Sequence, residues 1–254
     1  SPDTSICLGG TATLAATGGT GYLWSNGAST SSISVSPTVE TTYWVTIYGT
    51  CDGTASVTVS VDPAPTPTAT VTPDVICVGE MANLTATGGF TYTWSASPGD
   101  GSLGGQTNSA SPIVSPQYTT TYTVIATDST SCTGSASVVL TVSPSPNANF
   151  IANPPIASSF NPVVTLIDNS SNSPVAWLWN LGDGTQENTS TFMHTFPGEG
   201  EYLVSLWVQN SFGCSDSTTG WVYVQPDYSF WVPSAFTPNN DQINDVFHVY
   251  FIGI

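Results

Sequence analysis

The chain is 254 residues long and holds no Lys or Arg against 17 Asp and Glu, a formal charge of −17 at pH 7. A surface of one negative sign repels phosphate backbones and anionic headgroups, which excludes nucleic acid as a partner. The missing cations also exclude Schiff-base lysines, arginine clamps, trypsin-like cleavage sites and internal salt bridges, and with only 7% charged residues solubility must rest on Thr, Ser, Asn and Gly.

The first module opens on Ser5-Ile6-Cys7-Leu8-Gly9 and runs to Tyr22-Leu23-Trp24-Ser25. This block recurs 70 positions later as Val75-Ile76-Cys77-Val78-Gly79 through Tyr92-Thr93-Trp94-Ser95. The second half of the unit, Ser36-Pro37 through Tyr43-Trp44-Val45, recurs at a shift of 79 as Ser115-Pro116 through Tyr122-Thr123-Val124, and Cys51 matches Cys132 at a shift of 81. Insertions confined to loops around a repeated core mark duplicated small domains. Alternation of period two, as in Tyr43, Val45, Ile47 and then Val57, Val59, Val61, predicts half-buried strands. Turn signals such as Gly18-Gly19, Asn26-Gly27 and Asp52-Gly53 separate them, and no helical period is sustained. The predicted fold class is all-β, tandem Ig-like β-sandwiches followed by a partial β C-terminal domain.

Cys7 with Cys51, and Cys77 with Cys132, read as one disulfide within each module, in an oxidising compartment. Each would contribute roughly 4 kcal/mol in the chain-entropy account. The alternative is two reduced core cysteines per module. The linkers Asp62-Pro63-Ala64-Pro65-Thr66-Pro67 and Ser143-Pro144-Ser145-Pro146 read as extended, semi-rigid spacers with few contacts to either neighbour, giving a rod. The boundaries are then 1–62 and 63–143 for two Ig-like repeats, 144–226 for a third module and 227–254 for an incomplete terminal domain. Trp24, Trp94 and Trp179 are each expected in a core between two sheets, and Tyr43, Tyr122 and Tyr202 at tyrosine-corner positions.

The third module reads Trp179-Asn180-Leu181-Gly182-Asp183-Gly184, then His194-Thr195-Phe196, then Gly200-Glu201-Tyr202-Leu203-Val204. This closely resembles a PKD domain over most of residues 147–225, with Leu181 and Phe196 in place of the usual Phe and Tyr. The resemblance implies an extracellular β-sandwich spacer or binding module, with His194 ordering the Gly-Asp-Gly turn. Asp183 there is expected to bond its own backbone rather than ligate a cation. Strand parity sends Trp207, Trp221 and Tyr223 outward on adjacent strands as a flat contact patch, for docking of the following segment with its Phe230 and Trp231, or for stacking on surface glycans. Cys214 matches Cys51 and Cys132, but no Cys stands near Ser159, so it reads as unpaired or paired between chains. Ser129 in Asp128-Ser129-Thr130 and Ser217 in Asp216-Ser217-Thr218 resemble the short O-glycosylation sequon of Bacteroidota.

The last segment, Phe230-Trp231-Val232-Pro233-Ser234-Ala235-Phe236-Thr237-Pro238-Asn239-Asn240-Asp241-Gln242-Ile243-Asn244-Asp245-Val246-Phe247, resembles the opening of the gliding-motility-associated C-terminal domain, with Gln242 where Gly is usual. The resemblance implies a type IX secretion and anchor motif carried by Pro233, Phe236, Pro238, Asn239, Asp241, Asn244, Asp245 and Phe247. It also implies the type IX machinery and an SprF/PorP-like outer-membrane protein as partners. Asn239, Asp241 and Asp245 crowd oxygens as a Ca²⁺ loop would, against a plain turn or a translocon contact; no other cofactor or metal is expected. Residues 228–254 are expected to fold only against a partner or a further segment. No stretch is long and apolar enough for a transmembrane helix and no leader opens the chain, so Ser1 reads as a mid-protein start.

Neither His194 nor His248 has a triad partner in any recognisable motif, and no HExxH, zinc spacing or P-loop occurs. The expected function is therefore the non-catalytic stalk and anchor region of a large cell-surface adhesin for gliding or attachment. The alternatives are a glycan-binding accessory region of a secreted polysaccharide-degrading enzyme, and a subunit of an extracellular filament.

Overall fold

The computed structural model describes residues 2–99, 101–231 and 250–252. The first module contains β1 (Thr4–Cys7), β2 (Ala12–Ala15), β3 (Gly21–Trp24), β4 (Ser32–Val35), β5 (Thr41–Tyr48) and β6 (Gly53–Asp62). One sheet runs β1-β6-β5-β3 and the other pairs β2 with β4. β1 lies parallel to β6, whereas β5 pairs antiparallel with both β6 and β3. Leu14, Trp24, Ile33, Val35, Val45, Val57 and Val59 fill the space between the two sheets. They come from alternate positions of their strands, which is how a two-sheet core is built from period-two sequence.

The second module contains β7 (Thr68–Thr72), β8 (Val75–Cys77), β9 (Ala82–Thr87), β10 (Thr91–Ser97), a 3₁₀ turn at Gly104–Gln106, β11 (Ile113–Val114), β12 (Thr120–Thr127) and β13 (Thr133–Ser143). Its sheets run β10-β12-β13-β8 and β11-β9-β7. The nine extra residues of this repeat do more than lengthen a surface loop. Leu103 enters the core beside Trp94 and Tyr122, the Ser102 hydroxyl meets the Tyr122 hydroxyl at 3.2 Å, and the Gln106 amide bonds both the N–H and the C=O of Ile113. Tyr122 is fully buried as a result, while its counterpart Tyr43 stays half-buried.

The third module contains β14 (Phe150–Asn153), β15 (Ile156–Ser158), β16 (Val163–Asp168), β17 (Pro174–Asn180), β18 (Gln186–Glu187), β19 (Thr191–Thr195), β20 (Gly200–Asn210) and β21 (Ser215–Gln225). A five-stranded sheet, β15-β21-β20-β17-β18, faces a three-stranded one, β14-β16-β19. Trp179 is the centre of the core, met edge-on by Phe150 and Phe192, each at 5.4 Å between ring centres. Beyond it, β22 (Ser229–Trp231) and β23 (Tyr250–Ile252) form an antiparallel pair.

Among the described residues there are three separate hydrophobic cores. By contacts the chain divides into two compact units, Ser1–Val142 and Ser143–Ile254.

Each module fixes its central tryptophan in the same way. The indole N–H of Trp24 donates to Thr30 O at 2.9 Å, that of Trp94 to Ser109 O at 3.0 Å, and that of Trp179 to Thr189 O at 2.9 Å. The acceptor lies 6 residues on in the first module and 15 in the second, so the nine inserted residues fall between ring and acceptor without disturbing the bond. A buried indole needs such a partner, because an unmatched N–H in a dry core costs more than the bond contributes.

Candidate functional site: the stapled junction and the outer sheet face

Cys7 is the last residue of β1 and lies opposite Asp62, the last residue of β6, so it stands where the first module ends. The Leu8 N–H donates to Asp62 O at 2.9 Å and fixes that end. Cys132 sits in the turn between β12 and β13 of the second module. Cys7 and Cys132 are joined in a disulfide, with Cα atoms 5.5 Å apart across 125 positions of sequence. The expected bridges within modules are therefore corrected: Cys51 is free and exposed, and Cys132 bonds across the module boundary. Pairing follows the approach of Cα atoms to within about 7 Å, and the repeat alone could not show which cysteines approach.

Cys77 and Cys214 are also disulfide-bonded, which overturns the reading of Cys214 as unpaired.

The turn that carries Cys132 is preorganised. Asp128 Oδ1 accepts from the Thr130 N–H and hydroxyl, each at 2.8 Å, and from the Cys132 N–H at 2.9 Å. The Thr130 hydroxyl and these backbone donors hold the Asp128 carboxyl below the usual carboxylate range. In the third module Asn210 Oδ1 caps the equivalent turn, accepting from the N–H groups of Phe212 and Cys214. Sequence reasoning missed both caps; the Asp or Asn four residues before each Cys is the signal that could have found them.

The proline linkers are docked, which corrects the expectation of spacers with few contacts. A Cβ built on Gly134 would meet Pro65 O at 2.0 Å, so the 62–67 segment lies directly on the second module where only glycine leaves room. At the other linker, Asn210 Nδ2 donates to Ser143 Oγ at 3.2 Å and to Pro144 O at 3.0 Å, and Asn172 Nδ2 donates to Ser145 O at 2.8 Å. A proline segment has few N–H groups, so its carbonyls take side-chain donors instead.

In the third module the Gly-Asp-Gly turn is closed from two sides. Asp183 Oδ1 accepts from the Thr185 N–H at 2.9 Å and hydroxyl at 2.6 Å, while Oδ2 meets His194 Nε2 at 2.7 Å. The Asp183 side chain is 4% exposed and that of His194 16%. Burial pushes the Asp183 carboxyl up, but the Thr185 bonds and the contact with His194 outweigh it and hold it below its ordinary value. The lack of Lys and Arg therefore does not leave every carboxylate without a nitrogen partner on another side chain: Asp183 has His194. The His194 ring stands edge-on to Phe196 at 4.7 Å, Phe196 packs on Tyr202 at 4.5 Å, and the Tyr202 hydroxyl donates to Gly198 O at 2.9 Å. Gly182 has φ +79° with the Leu203 backbone 2.8 Å from where its Cβ would be, so no other residue fits there.

The outer face of the five-stranded sheet carries the three aromatics singled out by parity. Trp221 is 50% exposed and faces Leu203; Tyr223, half-buried, faces Glu201 on one side and Ile156 on the other. Trp207, also half-buried, faces Ser217 and Leu178. Between these rows runs a polar one, Thr219, Ser205 and Asn180. Register thus groups Trp221 and Tyr223 with Leu203 and Ile156 and leaves Trp207 four residues along the strand, about 13 Å away. The flat three-ring patch is divided.

Ser129 is exposed in the Cys132 turn, and Ser217 is exposed on β21 beside Trp207. Among the described residues no group of three or more His, Cys, Asp and Glu side chains could hold a metal ion. Pro233, Phe236, Pro238, Asn239, Asp241, Asn244, Asp245, Phe247 and His248, with the Ca²⁺ reading of Asn239, Asp241 and Asp245, lie outside the described residues. Of the 228–254 tail, only 228–231 and 250–252 are described. Among the described residues no helix is long and apolar enough to cross a membrane.

Residues 141–225 match the family model of the PKD domain, about a third of the chain. The PKD1 domain of Vibrio anguillarum Epp is similar at 24% identity, covering 32% of this chain and 94% of that one, with a TM-score of 0.28. The titin domains I67–I69 are similar at 13% identity, covering 88% of this chain and 95% of that one, with a TM-score of 0.45. A Ca²⁺-stabilised adhesin with which an Antarctic bacterium binds ice is similar at 16% identity, covering 91% and 75%, with a TM-score of 0.37. None of the curated proteins matches the chain.

Proposed function

We propose that the chain is the load-bearing, non-catalytic stalk and anchor region of a large surface adhesin, exported by type IX secretion and used in attachment or gliding. The Cys7–Cys132 bridge carries this reading. It leads from the end of one sandwich into the next and bypasses the 125 positions between its ends, so tension applied at the termini is taken by a covalent bond instead of by two folded cores. An enzyme has no need of such a bypass; a tether does. The disulfides fit an oxidising extracellular setting. The likeness of residues 230–247 to a gliding-motility-associated domain supports the export route and an SprF/PorP-like outer-membrane partner.

Single-molecule pulling tests the stalk reading. Under oxidising conditions the segment between Cys7 and Cys132 stays silent. Reduction adds at least about 410 Å of contour length, from 125 residues at about 3.3 Å each. Equal extension with and without reductant would sink the proposal.

A second reading, glycan binding on the third module, is favoured by Trp221, whose exposed ring adjoins Tyr223 on a rigid sheet. Glycan-array binding lost in Trp221→Ala but kept in Trp207→Ala supports it, since register separates the two rings; no binding by the unmodified chain rejects it.

A further inference from the structure

The outward face of the β1-β6-β5-β3 sheet in the first module carries two exposed rings on one interior strand. Trp44 is 60% exposed and Tyr48 42%, and both leave β5 on the side opposite the buried Val45. Four residues separate them, about 13 Å along the strand. Hydroxyls surround the indole: Thr42 and Thr46 along β5, Ser56 across on β6, and Ser25, whose Oγ accepts from the Trp44 backbone N–H at 3.3 Å. Leu23, Thr46 and Thr54 form the row between the two rings. None of these residues is charged, and the carboxylates of Asp3, Glu40 and Asp52 at the margin accept from the Thr58 N–H, the Ser60 hydroxyl and the Gly49 N–H. The Trp44 indole N–H, unlike those of the three core tryptophans, has no hydrogen-bond partner among the described residues.

The second module shows what this face looks like without the rings. At a shift of 79 Trp44 becomes Thr123 and Tyr48 becomes Thr127, and at a shift of 70 Leu23 becomes Thr93 and Gly21 becomes Thr91. The registers agree: Gly21 faces Tyr48 as Thr91 faces Thr127, and Leu23 faces Thr46 as Thr93 faces Ile125. Inward, Trp24 and Val45 keep their kind as Trp94 and Val124. The sandwich therefore forms with hydroxyls where the first module has rings. The exchanges at Gly21 and Tyr48 are coupled, because a Cβ on Gly21 would touch Tyr48 Cβ and Cδ2 at 3.6 Å, so the phenol leans over the glycine.

We propose that this face binds a neutral β-linked polysaccharide, with pyranose rings stacked on Trp44 and Tyr48 and sugar hydroxyls bonded to the Thr and Ser side chains between and around them. A pyranose has an apolar C–H face and a hydroxylated edge, which is the alternation the sheet presents. A protein partner fits less well, since the core of a protein interface is a continuous apolar patch and here hydroxyls separate the rings. Charge selects a neutral chain: with a formal charge of −17 and no Lys or Arg, the surface repels an anionic polysaccharide. The spacing of the rings selects length, because a single sugar covers one ring and only a chain of several reaches both. The inference stands apart from the Cys7–Cys132 bridge and from Trp221 of the third module.

The test titrates the 254-residue chain by isothermal calorimetry with three hexasaccharides, the β-1,4-linked oligomers of glucose, mannose and N-acetylglucosamine. At least one is expected to bind with a Kd below about 1 mM, and at least tenfold tighter than the galacturonate hexamer. Trp44→Thr, which copies the second module, should weaken that binding at least tenfold. Tyr48→Thr should weaken it at least threefold and leave the matching disaccharide unchanged, while Trp221→Ala should stay within twofold of the unsubstituted chain. The proposal is overturned if Trp44→Thr binds within twofold of the unsubstituted chain, if binding is lost in Trp221→Ala instead, or if none of the three sugars saturates; none of these results alters the pulling experiment. Should Trp44→Thr fail to fold by circular dichroism, hydroxyl-radical footprinting of the unsubstituted chain decides. The bound hexasaccharide is expected to slow oxidation of Trp44 at least threefold and that of Trp221 not at all, and equal oxidation of Trp44 with and without sugar overturns the proposal.

Discussion

Cys7 and Cys132 are bonded although 125 positions separate them, and each stands at the end of its module that faces the linker: Cys7 beside Asp62, Cys132 two residues before the Gly134 on which Pro65 rests. The bridge and the docked linker therefore hold one junction by two routes, one covalent and one by packing.

Replacing the pair, Cys7→Ser with Cys132→Ser, is expected to destabilise the Ser1–Val142 unit by up to about 5 kcal/mol, the chain-entropy value for a closed loop of this length. Differential scanning calorimetry should show the loss in the transitions of that unit. Unchanged transitions would mean that packing alone holds the junction.

Packing at the same junction is tested at Gly134. Gly134→Ala drives a methyl into the Pro65 carbonyl, and a backbone clash of this kind costs about 1–3 kcal/mol. Gly53→Ala meets nothing within 4 Å and should be neutral or stabilise by about 0.4–1 kcal/mol. Faster proteinase K cleavage within residues 62–67 in the first variant and not the second is the expected result.

The tryptophan bonds predict module-specific damage. Trp179→Phe removes the indole N–H and leaves Thr189 O without its donor in a part-buried site, at a cost of about 1–3 kcal/mol plus the smaller ring's lost packing. Thermal unfolding should shift for the third module while the transitions of residues 1–142 stay in place.

Asp183 sets an acid limit. Its folded carboxyl is held below the ordinary value of 3.8, so it contributes stability above that value, and the contribution is lost as pH falls from about 3.8 through the lower folded value. Asp183→Asn is expected to cost about 1–2 kcal/mol near neutral pH and to flatten this part of the acid dependence. Urea midpoints of both proteins between pH 3 and pH 7 check it: parallel curves would show that Asp183 does not titrate as described.

Much of the fold was legible because it is written locally. Val57 and Val59 alternate with polar neighbours, so their strand and its inward face follow from spacing alone. Trp24, Trp94 and Trp179 each sit within a repeated or motif-bearing strand, and all three are buried. The Asp183 turn was readable for the same reason, since its partners at Thr185 are two residues away. The aromatic face was half legible. Parity says which side Trp207 and Trp221 leave from, but the register between β20 and β21 puts a polar row between them.

What the sequence by itself determined is the all-β class, the strands, the central tryptophans and the sign of the charge, all of which follow from composition or from residues within one strand or one turn of each other. The cysteine partners, the docking of the linkers and the part played by the inserted Leu103 were decided only in three dimensions. A disulfide forms between the sulfurs that the folded backbones bring together, and two copies of one repeat offer the same local pattern for a bridge inside a module as for one between modules.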